Sequence, residues 1–403
     1  MPSKNKLLPF FADMHIHIGA SRTGKAIKIT GSRSLTLRNI LRVAKHVKGM
    51  DIIGIIDCHS PEVLQELKEL KHDGYLQELE DGGLSIDGLT LIPGAEIEIN
   101  DEHCKGPIHV LVYMPSLAAM ENLSGWLTPR MKNIHLSSQR MYGSARELQE
   151  FVKDLGGLFI PAHIFTPFKS LYGKGVAFSL TEILDPAMID GVELGLSSNT
   201  EMASRLEELS PFAFLTNSDA HSLEKIAREY QMLSLKEPTF KEFKMALQEK
   251  NGREIIANYG LNPYLGKYYN SVCEACLKVY LPNSENCVKC GSRKFIKGVN
   301  DRINELQGTG TTKSKRNRPP YIHQIPLEFI PGLGPKSLVK MREAIGTDMD
   351  IIHSSTEDQL KEIVKPAIAE QILSARDGNL SVQIGGGGAY GKVMVNHPSK
   401  SKK

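Results

Sequence analysis

The sequence predicts a mixed α/β fold in which one large α/β domain is followed by two smaller modules. Short apolar runs alternate with helix-like stretches up to about residue 260, four cysteines fall between residues 273 and 290, and a short helical region follows a basic segment. Alternating strand and helix patterns are typical of a mostly parallel sheet or barrel. The 403 residues are enough for two or three domains with at least one large core.

The predicted strands of the first domain are FFADMHIHI, DIIGIID, LTLIPGAEIEI, PIHVLVYM, GGLFIPAHI, DGVELGL and PFAFLTNSD. The predicted helices between them include SLTLRNILRVAKHV, PEVLQELKELKHDGYLQEL and SARELQEFVKDLG. Helical spacing of apolar residues separates these stretches from the short β-like runs.

Composition and charge exclude several classes of protein. The chain is 41% hydrophobic and 24% charged, as in ordinary globular proteins, and its net charge of +3 is too small to indicate nucleic-acid binding by itself. No run approaches the roughly 18 consecutive apolar residues of a membrane helix. The opening MPSKNKLLPFF has no long apolar region with a cleavage site, so we predict no signal peptide and a cytoplasmic protein.

The first strand, within ADMHIHIGA, carries two histidines one residue apart. Residues i and i+2 of a strand point the same way, so His15 and His17 share one face while Met14 and Ile16 face the core. Two imidazoles on one face can bind a metal ion. By itself, the motif is equally consistent with a surface pair of histidines.

Polar, titratable residues also occur on the later apolar runs, most of them at the run ends. These residues are Asp57, His59, Glu96, His109, His163, Asp219 and His221. The carboxyl ends of strands in a parallel barrel meet on one face, where active sites form. Imidazoles and carboxylates suit Zn, Mn or Fe, and a shared carboxylate such as Glu96 can bridge two ions. Burying so many of these groups without metal would carry a heavy desolvation cost, so we predict a multi-metal site.

In chain order, these residues resemble the pattern of the PHP family, named for polymerase and histidinol phosphatase, over residues 7 to about 250. The resemblance implies a distorted β/α barrel of seven strands that binds up to three metal ions and hydrolyses phosphoesters with metal-activated water. It implies two to three divalent ions, which could be Zn, Mn or Mg. The first ion would be bound by His15, His17, Glu96 and Asp219, which would also be the catalytic residues. The second would be bound by His59, Glu96 and His221, and the third by His109 and His163.

The sequence departs from the family pattern at Cys58, which separates Asp57 from His59. Two roles for Asp57 therefore stay open, as a direct metal ligand and as an orienting partner of a histidine. We expect Cys58 and Cys104 to take no part in the chemistry, because activated water needs no thiol nucleophile.

The segment CEACLKVYLPNSENCVKC contains two Cys-x-x-Cys pairs, Cys273 with Cys276 and Cys287 with Cys290. Four thiolates at this spacing can close a tetrahedral zinc site. Such a closed shell indicates one structural zinc, which supplies folding energy that so short a segment lacks by itself.

The segment FIPGLGPKSLVKMREAIG resembles a helix-hairpin-helix element. Gly332 and Gly334 let the backbone approach a ligand, the N–H groups that open the next helix can meet a phosphate oxygen, and Lys336 adds positive charge. Such elements bind the DNA backbone without reading sequence. The alternative is an ordinary tight turn.

Two loops offer further DNA contacts. The loop SRTGKAIKITGSRSLTLR supplies Arg22, Lys25, Lys28 and Arg33 for phosphates at the barrel mouth. The loop FTPFKSLYGKG supplies Lys169 and Lys174 for phosphates, with Phe168 and Tyr172 to stack on a base flipped into a pocket. The alternative for this second loop is a packed segment with buried aromatic rings.

We predict five segments along the chain: a PHP barrel at 1–262, a four-cysteine zinc module at 263–302, a basic linker at 303–320, a helix-hairpin-helix-like domain at 321–380 and a glycine-rich basic tail at 381–403. A phosphoesterase barrel joined to a zinc module and a DNA-backbone hairpin indicates a nuclease.

The whole arrangement, with GVELGLSSNTEM and GGGGAYGKV, resembles the endonuclease Q family of DNA repair enzymes. That resemblance implies cleavage on the 5′ side of deaminated bases (uracil, hypoxanthine, xanthine) and of abasic sites in DNA. Two alternatives stay open: a PHP phosphatase acting on a small phosphomonoester, and a catalytically inactive DNA-binding repair accessory.

Overall fold

The computed structural model describes residues 6–266, 268–279, 285–307 and 316–379, together with the backbone of 382–383 and 392–393. The strands are β1 (Leu8–Ile16), β2 (Ile52–Ile55), β3 (Gln77–Glu78), β4 (Leu84–Ile86), β5 (Leu89–Ile99), β6 (Ile108–Tyr113), β7 (Arg140–Met141), β8 (Leu158–Pro161), β9 (Gly191–Glu193), β10 (Ala213–Leu215), β11 (Tyr230–Leu235), β12 (Glu254–Gly260), β13 (Val272–Cys273), β14 (Phe295–Ile296), β15 (Tyr321–His323), β16 (Val382–Gln383) and β17 (Lys392–Val393).

The α-helices are α1 (Leu37–Val43), α2 (Pro61–His72), α3 (Leu117–Leu127), α4 (Ala145–Asp154), α5 (Thr200–Ala203), α6 (Phe240–Leu247), α7 (Val299–Leu306), α8 (Pro335–Ala344), α9 (Glu357–Ile363) and α10 (Pro366–Arg376). Single π-helical turns lie at Ala44–Lys48, Leu171–Gly175 and Asp350–Ser354. Within the described part of the chain, no helix combines the length and apolar character that crossing a bilayer requires.

Seven of the described strands follow one another around a ring. β1 pairs with β2, and β2 with β5, in parallel, whereas β6 is antiparallel to both β5 and β8. Two backbone hydrogen bonds join the chain at β8 to the chain at β9, from Asp190 N–H to Phe159 O at 3.0 Å and from Ile164 N–H to Glu193 O at 2.9 Å. β10 runs parallel to β9, and the chain after it returns to β1 where Ala220 N–H donates to His15 O at 3.1 Å. The predicted mixed α/β class is confirmed, and β6 interrupts its parallel order.

Apart from the first four residues of β1, the ring strands are almost entirely buried, which explains their nearly unbroken apolar runs. β5 is buried along its whole length except at one position, Glu98. Helices cover the outside. α4, for example, begins with a capping box in which Ser144 and Glu147 each accept a hydrogen bond from the other's backbone N–H, and it buries Leu148 and Val152.

The sheet continues beyond the ring from β1 through β11 and β12 to β15. The segment predicted as the helix-hairpin-helix-like domain begins with β15. These first residues belong to the barrel sheet, because β15 pairs with β12 through Asn258↔Tyr321. The preceding residues 316–320 are fixed rather than flexible. Arg318 donates to Leu209 O at 2.9 Å and covers the Phe214 ring with its guanidinium carbon 3.5 Å from the ring centre. Residues 308–315 of the predicted linker lie outside the described residues.

The helices α8, α9 and α10 share one continuous apolar core with the barrel, to which they contribute Leu338, Met341 and Leu360. On the barrel side, His353 stacks on Phe11 with ring centres 4.7 Å apart. The C-terminal helices therefore form part of the same packed body. The predicted tail, residues 381–403, lies outside the described residues apart from the backbone of β16 and β17.

Candidate metal centre and nucleic-acid interface

The predicted metal ligands converge at one end of the strand ring. β1 brings His15, the residue just after it is His17, and β5 carries Glu96 with its side chain buried. The other members follow strand ends: Asp57 and His59 after β2, His163 after β8, and Asp219 and His221 after β10. His109 differs, because it is the second residue of β6. Since β6 runs antiparallel to its neighbours, its start lies at the end of the ring where the parallel strands finish.

Three groups of side chains at this end each bring their donor atoms within 4.8 Å of one another. The groups are His15, His17 and Glu96; His17, Asp219 and His221; and Glu96, His109 and His163. Glu96 belongs to two groups, as a bridging carboxylate would. Its Oε1 lies 2.9 Å from His109 Nδ1 and 3.4 Å from His163 Nε2, while its Oε2 lies 3.6 Å from His17 Nε2. Asp219 Oδ1 is similarly central, 3.4 Å from His15 Nε2 and 3.3 Å from His221 Nε2.

The donor atoms are chemically suited to divalent cations. Among the described residues, the ring nitrogens His15 Nε2, His17 Nε2 and His109 Nε2 are buried without a hydrogen-bond partner. A buried polar atom without a partner is costly, and neutral imidazole nitrogens beside carboxylates are the usual ligands of Zn and Mn. The residues present therefore fit a metal centre.

Carboxylates hold the inner histidines in position. Glu193 contacts His15 Nδ1 at 2.9 Å, and Asp57 Oδ2 contacts His17 Nδ1 at 3.1 Å, so the Nε2 atom of each ring faces the site. Carboxylates on the far nitrogen of a ligating histidine fix its tautomer and orientation. Asp57 takes no place in the three groups of described residues. Among the described residues, Asp57 Oδ1 is one of the buried atoms without a hydrogen-bond partner, so both roles of Asp57, as a direct ligand and as an orienting residue, stay predictions.

The electrostatics of the cluster favour cations. Burial would raise the pKa of Glu96 and of Asp219, but the surrounding imidazoles, joined at Glu96 by the Lys28 ammonium, outweigh it and hold both pKa values well below the usual range. Burial would lower the pKa of His15, yet the carboxylates of Glu193 and Asp219 raise it to about 10. The centre thus attracts positive charge strongly, from protons or from metal ions.

Two of the candidate ligands have left-handed backbones, with φ of 29° at His163 and 46° at Asp219. Such conformations are uncommon outside glycine and are concentrated at functional sites. Beside His163, Gly195 has φ +79°, and a Cβ atom there would lie 2.9 Å from the His163 Cβ. Glycine at 195 thus allows the chain to pass directly behind this ligand.

His59, predicted for the second ion, lies beside the cluster and outside the three groups of described residues. Its Nε2 is 3.3 Å from Leu136 O, whereas its Nδ1 is buried without a partner. Burial lowers the pKa of His59 and keeps the ring neutral. A neutral ring with an unpaired nitrogen can still serve as a ligand.

The four cysteines form a separate site, with Cys273 Sγ 3.5 Å from Cys290 Sγ and Cys276 Sγ 3.5 Å from Cys287 Sγ. A tetrahedron with zinc–sulfur bonds of about 2.3 Å has sulfur atoms about 3.8 Å apart, so the spacing fits zinc. The backbone N–H of Cys276 lowers the pKa of Cys273 to about 6 and favours its thiolate.

The predicted phosphate contacts of the first loop occupy different environments. Arg33 is exposed, whereas Arg22 pairs with Glu69 at 2.6 Å and Lys25 pairs with Glu62 at 3.1 Å, both near the surface. Lys28 turns inward, with its Nζ 3.1 Å from Glu96 Oε2.

In the second loop, Lys174 is exposed and Lys169 pairs with Glu98 at 2.8 Å. Tyr172 is fully buried, packs against Phe165 and donates its hydroxyl proton to Glu208 at 2.8 Å. The predicted stacking of Tyr172 on a base is wrong, because the ring already belongs to the core.

Phe168 differs from Tyr172, since 47% of it is exposed. Its ring meets Tyr268 edge-on, with ring centres 5.5 Å apart. Phe168 is thus the aromatic residue of this loop that a nucleotide can reach.

The predicted hairpin precedes α8. Gly332 has φ +85°, Gly334 is the residue before the helix, and Lys336 in its first turn is exposed. The hairpin therefore presents glycine backbone and an ammonium group to solvent at the start of a ten-residue helix, a geometry suited to phosphate.

Sequence reasoning missed Glu193, Glu98 and Ser138. Glu193 is the last residue of β9 but lies inside the apolar run DGVELGL, so the search for polar residues at run ends passed over it. Glu98 shares a strand face with Glu96, its Oε2 lies 3.7 Å from His109 Nε2, and the nearby His109 and Lys169 lower its pKa to about 2. Ser138 contacts Glu96 Oε2 from a loop far away in the sequence, and no sequence pattern indicates this.

A mixed α/β body of this kind, with histidine–carboxylate groups at one end of a strand ring and a separate four-cysteine site, has the fold of endonuclease Q. The lesion-specific endonuclease PfuEndoQ from Pyrococcus furiosus matches with a TM-score of 0.84, 28% identity and 98% coverage of both chains. Endonuclease Q in complex with a 27-mer duplex substrate, with an abasic lesion at the active site, matches with a TM-score of 0.81, 28% identity and coverage of 98% of this chain and 100% of that one. The predicted resemblance to endonuclease Q is confirmed.

The chain belongs to the same family as the uncharacterized protein YqxK of Bacillus subtilis (strain 168), to which it is 54% identical over 383 residues, or 95% of this chain and 98% of that protein. The uncharacterized protein MJ0043 of Methanocaldococcus jannaschii is 36% identical over 253 residues. That match spans 57% of this chain and 31% of the archaeal protein. No family model matches the sequence.

Proposed function

We propose that this chain is a metal-dependent DNA endonuclease of base-damage repair, which hydrolyses the phosphodiester on the 5′ side of deaminated bases (uracil, hypoxanthine, xanthine) or abasic sites. One observation carries the proposal: the chain matches endonuclease Q along 98% of its length and brings the predicted ligands together at one end of the strand ring. The complex of endonuclease Q with an abasic duplex supports DNA as the partner.

The three groups that share Glu96 and His17 would hold two to three divalent cations, with Zn, Mn and Mg as candidates. Bound there, such ions would supply the chemistry that activates a water for attack and neutralises charge on the phosphate. Glu96 and Asp219 carry the negative charge that retains the ions, while Glu193 and Asp57 hold the histidine rings.

Exposed residues of the two loops and of the hairpin support binding of a polyanion. Arg33 and Lys174 expose free side chains, Phe168 exposes an aromatic face, and the hairpin at Gly332–Gly334 exposes its backbone. Non-specific phosphate contacts of this kind supply affinity for DNA and position the duplex. The four-cysteine module would hold one structural zinc. The five predicted segments and the cytoplasmic location stay predictions.

The test uses purified full-length chain with Mn²⁺ or Mg²⁺ and end-labelled duplexes that carry one deoxyinosine, one deoxyuridine, one abasic site or no lesion. We expect a single cut 5′ of each lesion and none in the control duplex, with all cutting lost in Asp219→Ala. Glu69→Gln, a surface carboxylate variant, serves as the matched control and should cut normally.

The two alternatives give different results in the same assay. Turnover of small phosphomonoesters without cutting of any duplex would replace the proposal with a phosphatase. Binding of lesion duplexes without cutting at any metal concentration, in protein that retains little metal beyond one zinc, would replace it with an inactive accessory.

A further inference from the structure

The ammonium group of Lys28 lies within the candidate metal centre. Its Nζ is 3.1 Å from Glu96 Oε2 and 2.6 Å from Ser138 Oγ, and 13% of its side chain is exposed. Lys25 and Arg22, from the same loop, are 69% and 54% exposed and pair with surface carboxylates. Lys28 is therefore set apart from the other cations of the loop by its position.

The backbone holds Lys28 in this position. Its N–H donates to Ile18 O at 2.9 Å, which ties it to the chain just beyond β1, and its carbonyl accepts from Gly31 N–H at 2.9 Å. The preceding residue, Ile27, is fully buried, and its carbonyl accepts from Ser137 N–H at 2.9 Å. The loop is thus anchored on both sides of Lys28, and the four-carbon side chain alone gives the ammonium its freedom to move.

The position of Lys28 raises an electrostatic problem. Glu96 Oε2, which Lys28 contacts, also faces His17 Nε2 at 3.6 Å in one of the groups suited to a cation. A divalent ion in that group would lie close to the ammonium, and two positive charges at such a distance repel each other strongly in a buried site. An anion that touches both would remove the repulsion, and the anion of this reaction is a phosphate.

We propose that Lys28 is a catalytic residue that exchanges its contact with Glu96 for an oxygen of the scissile phosphate when the centre holds its cations and DNA. This inference rests on the proposed endonuclease function. Lys28 binds one charged oxygen of the phosphate and stabilises the charge that develops during attack. It transfers no proton and forms no covalent bond. A permanent ion pair that merely neutralises Glu96 is the competing role.

The experiment compares Lys28→Met and Lys28→Arg with Lys241→Met, a matched control that removes an ammonium paired with the carboxylate of Asp81 at 2.9 Å, outside the centre. We expect Lys28→Met to slow single-turnover cleavage of a deoxyinosine duplex about 100-fold, as for loss of one donor to a developing charge, with affinity for the duplex nearly unchanged. Lys28→Arg should recover part of the rate, and Lys241→Met should match the unmodified chain.

Calorimetry with Mn²⁺ alone supplies a second readout. Lys28→Met should bind Mn²⁺ as tightly as the unmodified chain or more tightly, because a competing positive charge is gone. Weaker Mn²⁺ binding, with the cleavage rate restored by excess Mn²⁺, would assign Lys28 to holding Glu96 and overturn the proposal. Unchanged cleavage in Lys28→Met would overturn it as well.

A third readout uses inorganic phosphate with the Mn²⁺-loaded chain, which requires no DNA. Phosphate binding should weaken in Lys28→Met and persist in Lys241→Met. If the unmodified chain cuts no lesion duplex, the proposed function fails, and this arm still decides whether Lys28 is a phosphate ligand. Equal phosphate binding in both variants would reject that role.

Discussion

The carboxylate of Glu193 fixes the orientation of His15. Glu193 Oε1 lies 2.9 Å from His15 Nδ1, and the same side chain accepts hydrogen bonds from His163 N–H and Asn217 Nδ2–H, each at 2.8 Å. Both oxygens of Glu193 are therefore committed to donors. One buried carboxylate sets the positions of two candidate ligands, and none of these contacts involves an atom that would bind the metal.

Glu193→Gln should weaken metal binding without removing a ligand. The new amide would direct an N–H₂ group towards donors that now meet an oxygen, so the His15 ring and the backbone of His163 would lose their fixed positions. Substitutions of such supporting groups typically cost about 10–100-fold in metal affinity. Mn²⁺ calorimetry measures the change, with Glu208→Gln as the control because Glu208 bonds Tyr172 instead. Equal affinity in both variants would show that Glu193 does not support the centre.

Tyr172→Ala should destabilise the whole protein. The ring is fully buried against Phe165, and truncation of a buried aromatic residue costs about 3–5 kcal/mol. Tyr172→Phe removes only the hydrogen bond to Glu208 and should cost about 1 kcal/mol. Urea unfolding measures both values.

Binding of lesion and undamaged duplexes by folded Tyr172→Phe should be unchanged, whereas Phe168→Ala should weaken binding because Phe168 is exposed. A loss confined to lesion DNA in Tyr172→Phe, with unfolding free energy unaltered, would contradict the core role of Tyr172.

Cys276→Ser should remove one equivalent of zinc and loosen the neighbouring loop. α7 follows the cysteine module, and its Arg302 donates to three backbone carbonyls, those of Tyr172, Val176 and Ala177, at 2.7–3.0 Å. Loss of the zinc removes folding energy from the module and with it the support for that loop. Metal analysis and limited proteolysis between residues 165 and 177 test the prediction. The control variant Cys104→Ser should retain all its zinc. Equal proteolysis of the two variants between residues 165 and 177 would show that the zinc module does not stabilise this loop.

Stability should fall as the pH drops below about 6.5 because of His353. Burial, reinforced by Arg376, lowers the pKa of His353 to about 4, so the folded chain keeps this ring neutral while the unfolded chain protonates it near its usual pKa. The contribution of the neutral His353 ring to the free energy of unfolding is complete above pH 6.5. It is lost progressively between pH 6.5 and 4, up to about 3 kcal/mol.

His353→Gln should reduce this dependence on pH, whereas His103→Gln, at a solvent-exposed histidine, should leave it unchanged. The melting temperature, followed from pH 8 to pH 4, tests this directly. Parallel curves for the unmodified chain and His353→Gln would assign the acid sensitivity to other groups.

Much of the candidate site can be predicted from local sequence rules. Alternation along a strand places His15 and His17 on one face, and polar residues at the ends of apolar runs identify Asp57, His163 and Asp219. The two Cys-x-x-Cys pairs are equally local, since their spacing alone brings four thiolates within reach of one ion. The mixed α/β class follows from the same alternation of patterns.

Other properties depend on contacts between distant segments and were decided by the tertiary structure. Tyr172 and Phe168 lie four residues apart in one loop, yet packing buries the first and exposes the second. The antiparallel direction of β6, which brings His109 into the centre from the start of its strand, depends on pairing with β5 and β8.

The surroundings of Lys28 show most clearly what local sequence does not predict. Its sequence neighbourhood is that of a solvated basic loop, whereas its ammonium lies against Glu96 and Ser138, residues 68 and 110 positions away. Local propensities determine which side chains a segment offers and which face they share. The neighbours that determine charge and exposure come from elsewhere in the chain, and only the folded chain brings them together.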